Sequence, residues 1–306
     1  MPAAVAQAEP NSRRPWAALR SLPPYNALQL ADLAVEVLIA EAMLTPKPAL
    51  VDQRGSGAHR DLDLDRLLRS ARSLHSSFLE MAVVSAGREP NQALREDLAR
   101  IGRTGEREML AATGGSNAHR GAIWVLGLLV AARASLGNAA PPRDIAALAG
   151  RIAGFTDRYA PPQDSNGVRV CERYGVPGAR GEAAAGFPHV VDIGLPALHA
   201  ARAGGADETC ARLDALMAIM ASLDDTCLLH RGGLPALHAA QSGARAVLAA
   251  GGTASAAGWG ALLRLDARLL ALYASPGGCA DLLAACLFLD RARPSEAPRL
   301  FSSATR

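Results

Sequence analysis

Residues 41–63, EAMLTPKPALVDQRGSGAHRDLD, constrain what this 306-residue chain can fold into more than any other stretch. Pro46, Pro48, Gly55 and Gly57 forbid an unbroken helix through it. On either side the apolar spacing is helical. Ala31, Val35, Leu38, Ile39 and Ala42 precede it, and Leu64, Leu67, Leu68, Ala71, Leu74, Phe78 and Leu79 follow. Connections between packed helices are usually a few residues long. One of this length, carrying Glu41, Thr45, Lys47, Asp52, His59, Asp61 and Asp63, is expected to hold a ligand. The plainer alternative is a solvated surface loop with Asp61 capping the next helix.

The rest of the chain also reads as helix. A third amphipathic run carries Leu94, Leu98, Ile101, Gly105, Met109 and Ala112, and residues 119–136 are apolar nearly all round, the mark of a buried helix. Further helical patterns cover residues from Pro142 to about Tyr159, then 182–203, 206–223, 234–250, 256–274 and 280–291, with a second irregular segment at 161–181. No strand ladder or internal repeat emerges. Half the residues are hydrophobic but only 4% are aromatic, so alanine, leucine and glycine build the core, which suits closely packed helices. The expected architecture is all-α: a single large multi-helix catalytic domain over residues 25–292, long polar loops forming the site, and loose tails at 1–24 and 293–306.

Charge and cysteine content exclude several classes. Lys+Arg 32 against Asp+Glu 29 leaves +3, with no basic block interleaved with aromatics, so nucleic acid is not an expected partner. The strongest apolar run, residues 122–132, is far short of the roughly 20 residues that cross a bilayer, so no membrane span is expected. Cys171, Cys210, Cys227, Cys279 and Cys286 form no CxxC pair, and the N-terminus has no basic-then-apolar leader. A cytoplasmic protein with reduced thiols is expected.

Polar motifs recur wherever the helical pattern breaks. TGGSNAHRGAIW (residues 113–124) places two glycines, Asn117, His119 and Arg120 before the buried helix, where free N–H groups and the helix dipole favour an anion. Arg120 is poorly placed for that dipole, and phosphate binding would explain it; Asn117 acting only as a cap is the plainer reading. ARGEAAAGFP (residues 179–188) sets Arg180 and Glu182 among small residues. DDTCLLHRGG (residues 224–233) offers Asp224, Asp225, His230 and Arg231, with Gly232–Gly233 as an ordinary helix stop. SPGGCADLLAACLFLD (residues 275–290) opens another helix, where the dipole alone accounts for Asp281. His75, His189, His199 and His238 fall on helical patterns and read as structural. Several carboxylates with few histidines suit a hard cation such as Mg²⁺.

TPKPALVD with GAHRDLD, followed in order by TGGSNAHRGAIW, RGEAAAGFP, DDTCLLHRGG and SPGGCADLLAACLFLD, resembles the triphosphoribosyl-dephospho-CoA synthase family over roughly residues 35–290. The motif wording is closer to the malonate decarboxylase branch than to the citrate lyase branch. Departures are Ala49 where the family usually has glycine, Leu62 in place of methionine, Ser116 and Ala118 for valine and threonine, and Arg120 for a frequent lysine. Arg120 keeps the charge but changes a point ammonium into a planar fork.

The resemblance implies a glycosyl transfer: ATP gives its triphosphoribosyl group to a ribose hydroxyl of 3′-dephospho-CoA and adenine leaves. The product would be the prosthetic-group precursor for the acyl carrier protein of malonate decarboxylase. On that reading Lys47, Arg120 and Arg231 are the expected cations for phosphate, with Thr45, Asn117, His119, Arg180 and Glu182 as further substrate contacts. Asp61 and Asp63 are the first choice to hold Mg²⁺, with Asp225 or Glu106 next. Asp52 or His59 is the expected base, and Glu106 also stands as a catalytic carboxylate, because breaking an N-glycosidic bond builds positive charge on the ribose. The rival readings are a Mg²⁺-dependent nucleotide or ADP-ribose hydrolase and a non-catalytic helical nucleotide-binding partner.

Overall fold

The computed structural model describes residues 26–137, 140–161 and 165–292; the tails expected at 1–24 and 293–306 lie outside the described residues. The protein is all-α, and the one β-type contact among the described residues is the isolated Asp52–Gly55 bridge within the long loop. Among the described residues thirteen α-helices run in order: α1 (Ala27–Met43), α2 (Leu64–Ser73), α3 (His75–Ser85), α4 (Gln92–Thr113), α5 (Arg120–Leu136), α6 (Pro142–Ala153), α7 (Asn166–Tyr174), α8 (Gly178–Ala184), α9 (Leu195–Ala203), α10 (Glu208–Met220), α11 (Thr226–Ala249), α12 (Ala256–Ala271) and α13 (Gly277–Arg291). A π-helical turn, His189–Gly194, leads into α9.

Helices α5 and α13 form the axis of the core. From Ala122 to Arg133 α5 buries nearly every residue, and α13 buries both cysteines and all its leucines. They pack on each other; α1, α3, α4 and α6 surround α5, and α1, α10 and α11 close on α13. Small residues let the axes approach. A Cβ on Gly105 would come within 2.7 Å of Ser77 Oγ, and one on Gly127 within 2.8 Å of Met81 Sδ. Alanine- and glycine-rich composition thus becomes close helix packing.

Side-chain caps set most helix starts. Asn26 and Gln29 form a capping box on α1, while Asn91, Asp207, Asp225 and Ser255 cap α4, α10, α11 and α12. The residue capping α2 is Asp63 rather than Asp61: its carboxylate accepts the Arg66 N–H at 2.8 Å.

Four expected elements differ. The run from Leu64 to Leu79 is two helices broken at Leu74: both touch α1 and α4, but α2 packs chiefly on α4 whereas α3 packs chiefly on α1 and α5. The helix expected to reach Tyr159 ends at Ala153, followed by Gly154. The irregular segment at 161–181 contains α7, and the helix expected over 182–203 is divided among α8, the π-helical turn and α9. The expected stop at Gly232–Gly233 is present: Gly233 adopts a non-helical φ 63°, ψ −160° ahead of Pro235, so α11 is two helical stretches joined across a kink there, the second running to Ala249.

The loop between α1 and α2 is pinned rather than loose. Asp52, 2% exposed, accepts the N–H of Lys47 and of Arg54 at 2.8 Å each, and pairs with the Arg54 guanidinium. Arg54 also reaches Asp266 of α12 at 2.7 Å and the Lys47 carbonyl at 3.2 Å, and Asp266 accepts the Ala49 N–H at 2.8 Å. This arrangement holds Ala49 at φ 55°, in the left-handed region that disfavours a Cβ. Ala49→Gly is therefore expected to raise stability by about 1 kcal/mol or less, relief of strain outweighing the extra freedom of the unfolded chain. The denaturant midpoint checks this; an unchanged or lower midpoint would show that Ala49 is unstrained.

Candidate active site

Three helix N-termini meet beneath the long loop. Asp225, at the start of α11, accepts the N–H of Cys227 at 2.7 Å and of Leu228 at 3.3 Å on one oxygen; its other oxygen accepts the Cys279 N–H of α13 at 2.8 Å. Asp281, in the early part of α13, accepts the Ala122 N–H in the first turn of α5. Its carboxylate lies so close to Gly121 that a Cβ there would sit 2.0 Å from Oδ2. Helix starts carry about half a positive charge each, so their convergence favours anions.

The loop closes over these ends through His59. Arginine can only donate, so the 3.1 Å contact from Arg231 makes His59 Nδ1 the acceptor and places the ring proton on Nε2, which donates to Ser275 Oγ at 2.9 Å. Arg231 also donates to the Ala58 carbonyl at 3.2 Å. Burial, helped by Arg231 and opposed by Asp61, pushes the His59 pKa down to about 4, so the ring is neutral at pH 7.

On the α5 side, His119 is 4% exposed; its Nδ1 meets Ser70 Oγ at 2.7 Å and its Nε2 has no partner. Burial, with a smaller contribution from Lys47, lowers its pKa to about 4. Lys47 is itself 1% exposed and holds the Glu41 carboxylate at 2.5 Å and the Glu41 carbonyl at 2.8 Å. Thr45 Oγ1, nearby in the chain, is likewise buried without a partner. Two such atoms in one region are unusual in a native fold and make it a candidate place for a ligand.

The remaining sequence candidates divide. Arg120 ion-pairs with Glu106 of α4, and its N–H is accepted by Asn117 Oδ1 at 3.2 Å. Asp61 is exposed, 3.9 Å from His59, and its carbonyl accepts from Ser116 Oγ at 2.8 Å. Asp63 is committed to capping α2 and to an ion pair with Arg66. Burial tends to raise the Asp52 pKa, but hydrogen bonds from Arg54 and from the Lys47 backbone outweigh it and hold the carboxyl below its usual range. Glu182 is spent on His189, accepting from its N–H at 2.9 Å and its Nδ1 at 2.8 Å; this bond raises the His189 pKa. Arg180 lies on α8, which meets α5 where Trp124 Nε1 donates to the Ala179 carbonyl at 3.1 Å.

Asp61, Asp63 and Asp225 are not gathered into one site: among the described residues no three His, Cys, Asp or Glu groups come together as a metal cluster. With Asp63 capping and Asp225 accepting three N–H groups, the residues present do not form a preassembled Mg²⁺ cage. Surface hollows of 250 and 180 Å³ lie off this centre, the first beside Asp32 and Glu36, the second beside Tyr174 and His230. The chemistry, not the hollow size, locates the site.

Sequence patterns missed Arg54, Asp266, Ser70 and Ser275, and ranked Asp281 last. Arg54 and Asp266 are 212 positions apart and His59 and Ser275 are 216 apart, so no local spacing marks either pair.

Two stability outcomes follow from this geometry. Lys47→Met leaves the Glu41 carboxylate buried without its cation and should cost about 3–5 kcal/mol, with much of it recovered in Lys47→Met/Glu41→Leu. Additive losses in a double-mutant cycle by denaturant unfolding would contradict the coupling. The second concerns pH. His59 and His119 have depressed folded-state pKa values, so between pH 6.5 and about 4 the unfolded chain binds protons that the folded chain does not. Stability should fall as pH drops through that window, and His59→Gln with His119→Gln should flatten the fall. An equally steep loss in that double variant would mean other groups govern it.

The described helices include none long and apolar enough to cross a membrane. Residues 27–299 match the family model described as CitG: ATP:dephospho-CoA triphosphoribosyl transferase. A protein of Azotobacter vinelandii named probable 2-(5''-triphosphoribosyl)-3'-dephosphocoenzyme-A synthase is 56% identical, covering 89% of this chain and 94% of its own. The Klebsiella pneumoniae protein bearing that name without "probable" is 55% identical, over 89% of this chain and 99% of its own. A Pseudomonas aeruginosa protein named as a probable synthase of the same kind is 60% identical over 86% and 90%. No solved structure matches. The chain belongs to the triphosphoribosyl-dephospho-CoA synthase family and is a transferase.

Proposed function

We propose that this enzyme transfers the triphosphoribosyl group of ATP to a ribose hydroxyl of 3′-dephospho-CoA, releases adenine, and so makes the prosthetic-group precursor for a malonate decarboxylase acyl carrier protein. The observation carrying the reading is the convergence of the α5, α11 and α13 starts beneath a loop bearing Lys47 and His59, with Arg231 tying α11 to that loop. Such a site suits a multiply charged phosphate chain. The family match and the names of the relatives support the same substrates. The malonate branch rests on the wording of the motifs, and a cytoplasmic setting on the expectation of reduced thiols.

In this proposal Arg120 and Arg231 exchange their present partners, Glu106 and the loop, for phosphate oxygens. Asn117 and Thr45 supply neutral hydrogen bonds, and His119 Nε2 gains its missing partner. Lys47 acts from behind its Glu41 pair, while Arg180 and Glu182 shape the wall along α5 and α8. Mg²⁺ enters with ATP as part of the substrate, chelated by the phosphates, which is how this small cation is commonly held.

As the bond from ribose to adenine lengthens, positive charge grows on the sugar and the acceptor hydroxyl attacks its C1. Between the two candidate bases, Asp52 has both oxygens occupied and is buried, whereas His59 is neutral and frees Nδ1 once Arg231 turns to phosphate. His59 is therefore assigned the hydroxyl proton, a role typically worth 10²–10⁴-fold.

Purified protein with ATP, Mg²⁺ and 3′-dephospho-CoA should yield free adenine and one new species equal in mass to dephospho-CoA plus triphosphoribose. Adenine without that species would point to a hydrolase, and ATP bound without turnover to a non-catalytic partner. Transfer of the product onto malonate decarboxylase acyl carrier protein, but not onto the citrate lyase counterpart, tests the branch.

A further inference from the structure

Resting on the transfer reading, we propose that Asp281 is a catalytic residue: its carboxyl protonates the adenine as it departs. Three features of its surroundings carry this. First, Asp281 keeps some accessible surface although it lies against Gly121, where α5 begins. Second, among the described residues no cation pairs with it. Its charged neighbours are Glu41 and Asp225, and each of those is already satisfied, Glu41 by Lys47 and Asp225 by three backbone N–H groups. Third, its one stabilising contact is the Ala122 N–H, and Gly121 allows the carboxyl to lie directly against the start of α5. That start is also where the unpartnered His119 Nε2 is buried, with Lys47 acting on its ring, so the polar atoms waiting for a ligand and the unpaired carboxyl belong to one region.

Burial and the like charges of Glu41 and Asp225 push the Asp281 pKa well above the usual carboxylate range, against the Ala122 N–H, and so favour its protonated form. In that form it is a donor. Adenine is a poor leaving group as an anion and a good one once protonated on its imidazole ring. In the step proposed, the Asp281 proton moves to adenine N7 while the C1′–N9 bond breaks and its electron pair goes to the base. The ribose hydroxyl oxygen forms the new bond to C1′, and its proton passes to His59 and on to solvent. Solvent returns one proton to Asp281, so protons balance and no oxidant or reductant is needed. By contrast, Asp225 cannot serve: its oxygens are held by N–H groups of two helices.

The test compares adenine-base release from ATP and from N7-methyl-ATP, whose base is already cationic and needs no acid. Asp281→Asn should slow release from ATP by about 10²–10⁴-fold and from N7-methyl-ATP by less than about tenfold. Gly121→Ala, which forces the carboxyl away from α5, should show the same selectivity in smaller measure and guards against a folding defect in the first variant. Equal losses on both nucleotides, in variants that retain the wild-type melting temperature, would overturn the acid role and leave Asp281 structural. Because the readout is base release, a wild type that frees adenine without forming the adduct overturns the transfer reading yet still tests Asp281. A wild type that frees no base overturns both.

Discussion

One carboxylate holds the working end of this molecule together. Asp225 accepts two N–H groups of α11 and one of α13, joining two helices that start 51 positions apart in the chain, at Thr226 and Gly277. Buried at 1% exposure, it would be costly as an isolated charge, and burial does push its pKa up against those three hydrogen bonds. The bonds and the two helix dipoles offset that cost. Without this junction, His59 would lose the fixed pair of Ser275 and Arg231 that positions it, and Asp281 would lose its place against α5.

The loop over this junction is organised by the same physics. Arg54 spans Asp52 within the loop and Asp266 on α12, so a stretch with two prolines and two glycines acquires one conformation. Lys47 and Glu41 then form an ion pair almost wholly out of water. Buried pairs of this kind contribute little net stability, but leaving either partner alone is expensive. They specify geometry, and here that geometry sets the electrostatic surroundings of His119 and Asp281. Two of the buried polar atoms left without partners, Thr45 Oγ1 and His119 Nε2, make this a candidate place for a ligand.

Much of the site was legible as motifs, because each motif ends a helix and glycine, proline or a capping residue announces such ends. The departure at Ala49 was also visible, and the left-handed backbone there explains why glycine is the easier residue. Roles were harder to read. Asp63 looked like a metal ligand, yet it caps α2; Glu182 looked like a substrate contact, yet it holds His189. An acidic residue near a helix start satisfies the same local pattern whether it caps, binds or reacts. Asp281 illustrates the reverse: the dipole explained it locally, while its significance comes from α1, α5 and α11 side by side.

By itself the sequence determined the all-α class, since amphipathic spacing, caps and the scarcity of aromatic and β-branched alternation act over a few residues at a time. It also determined which segments interrupt the helices, and therefore where polar groups can gather. Tertiary structure alone decided that α2 and α3 separate at Leu74, and which carboxylates are held by N–H groups and which by cations. Those outcomes depend on contacts between residues up to more than 200 positions apart, and a carboxyl's charge state follows from what surrounds it in space rather than what precedes it in the chain.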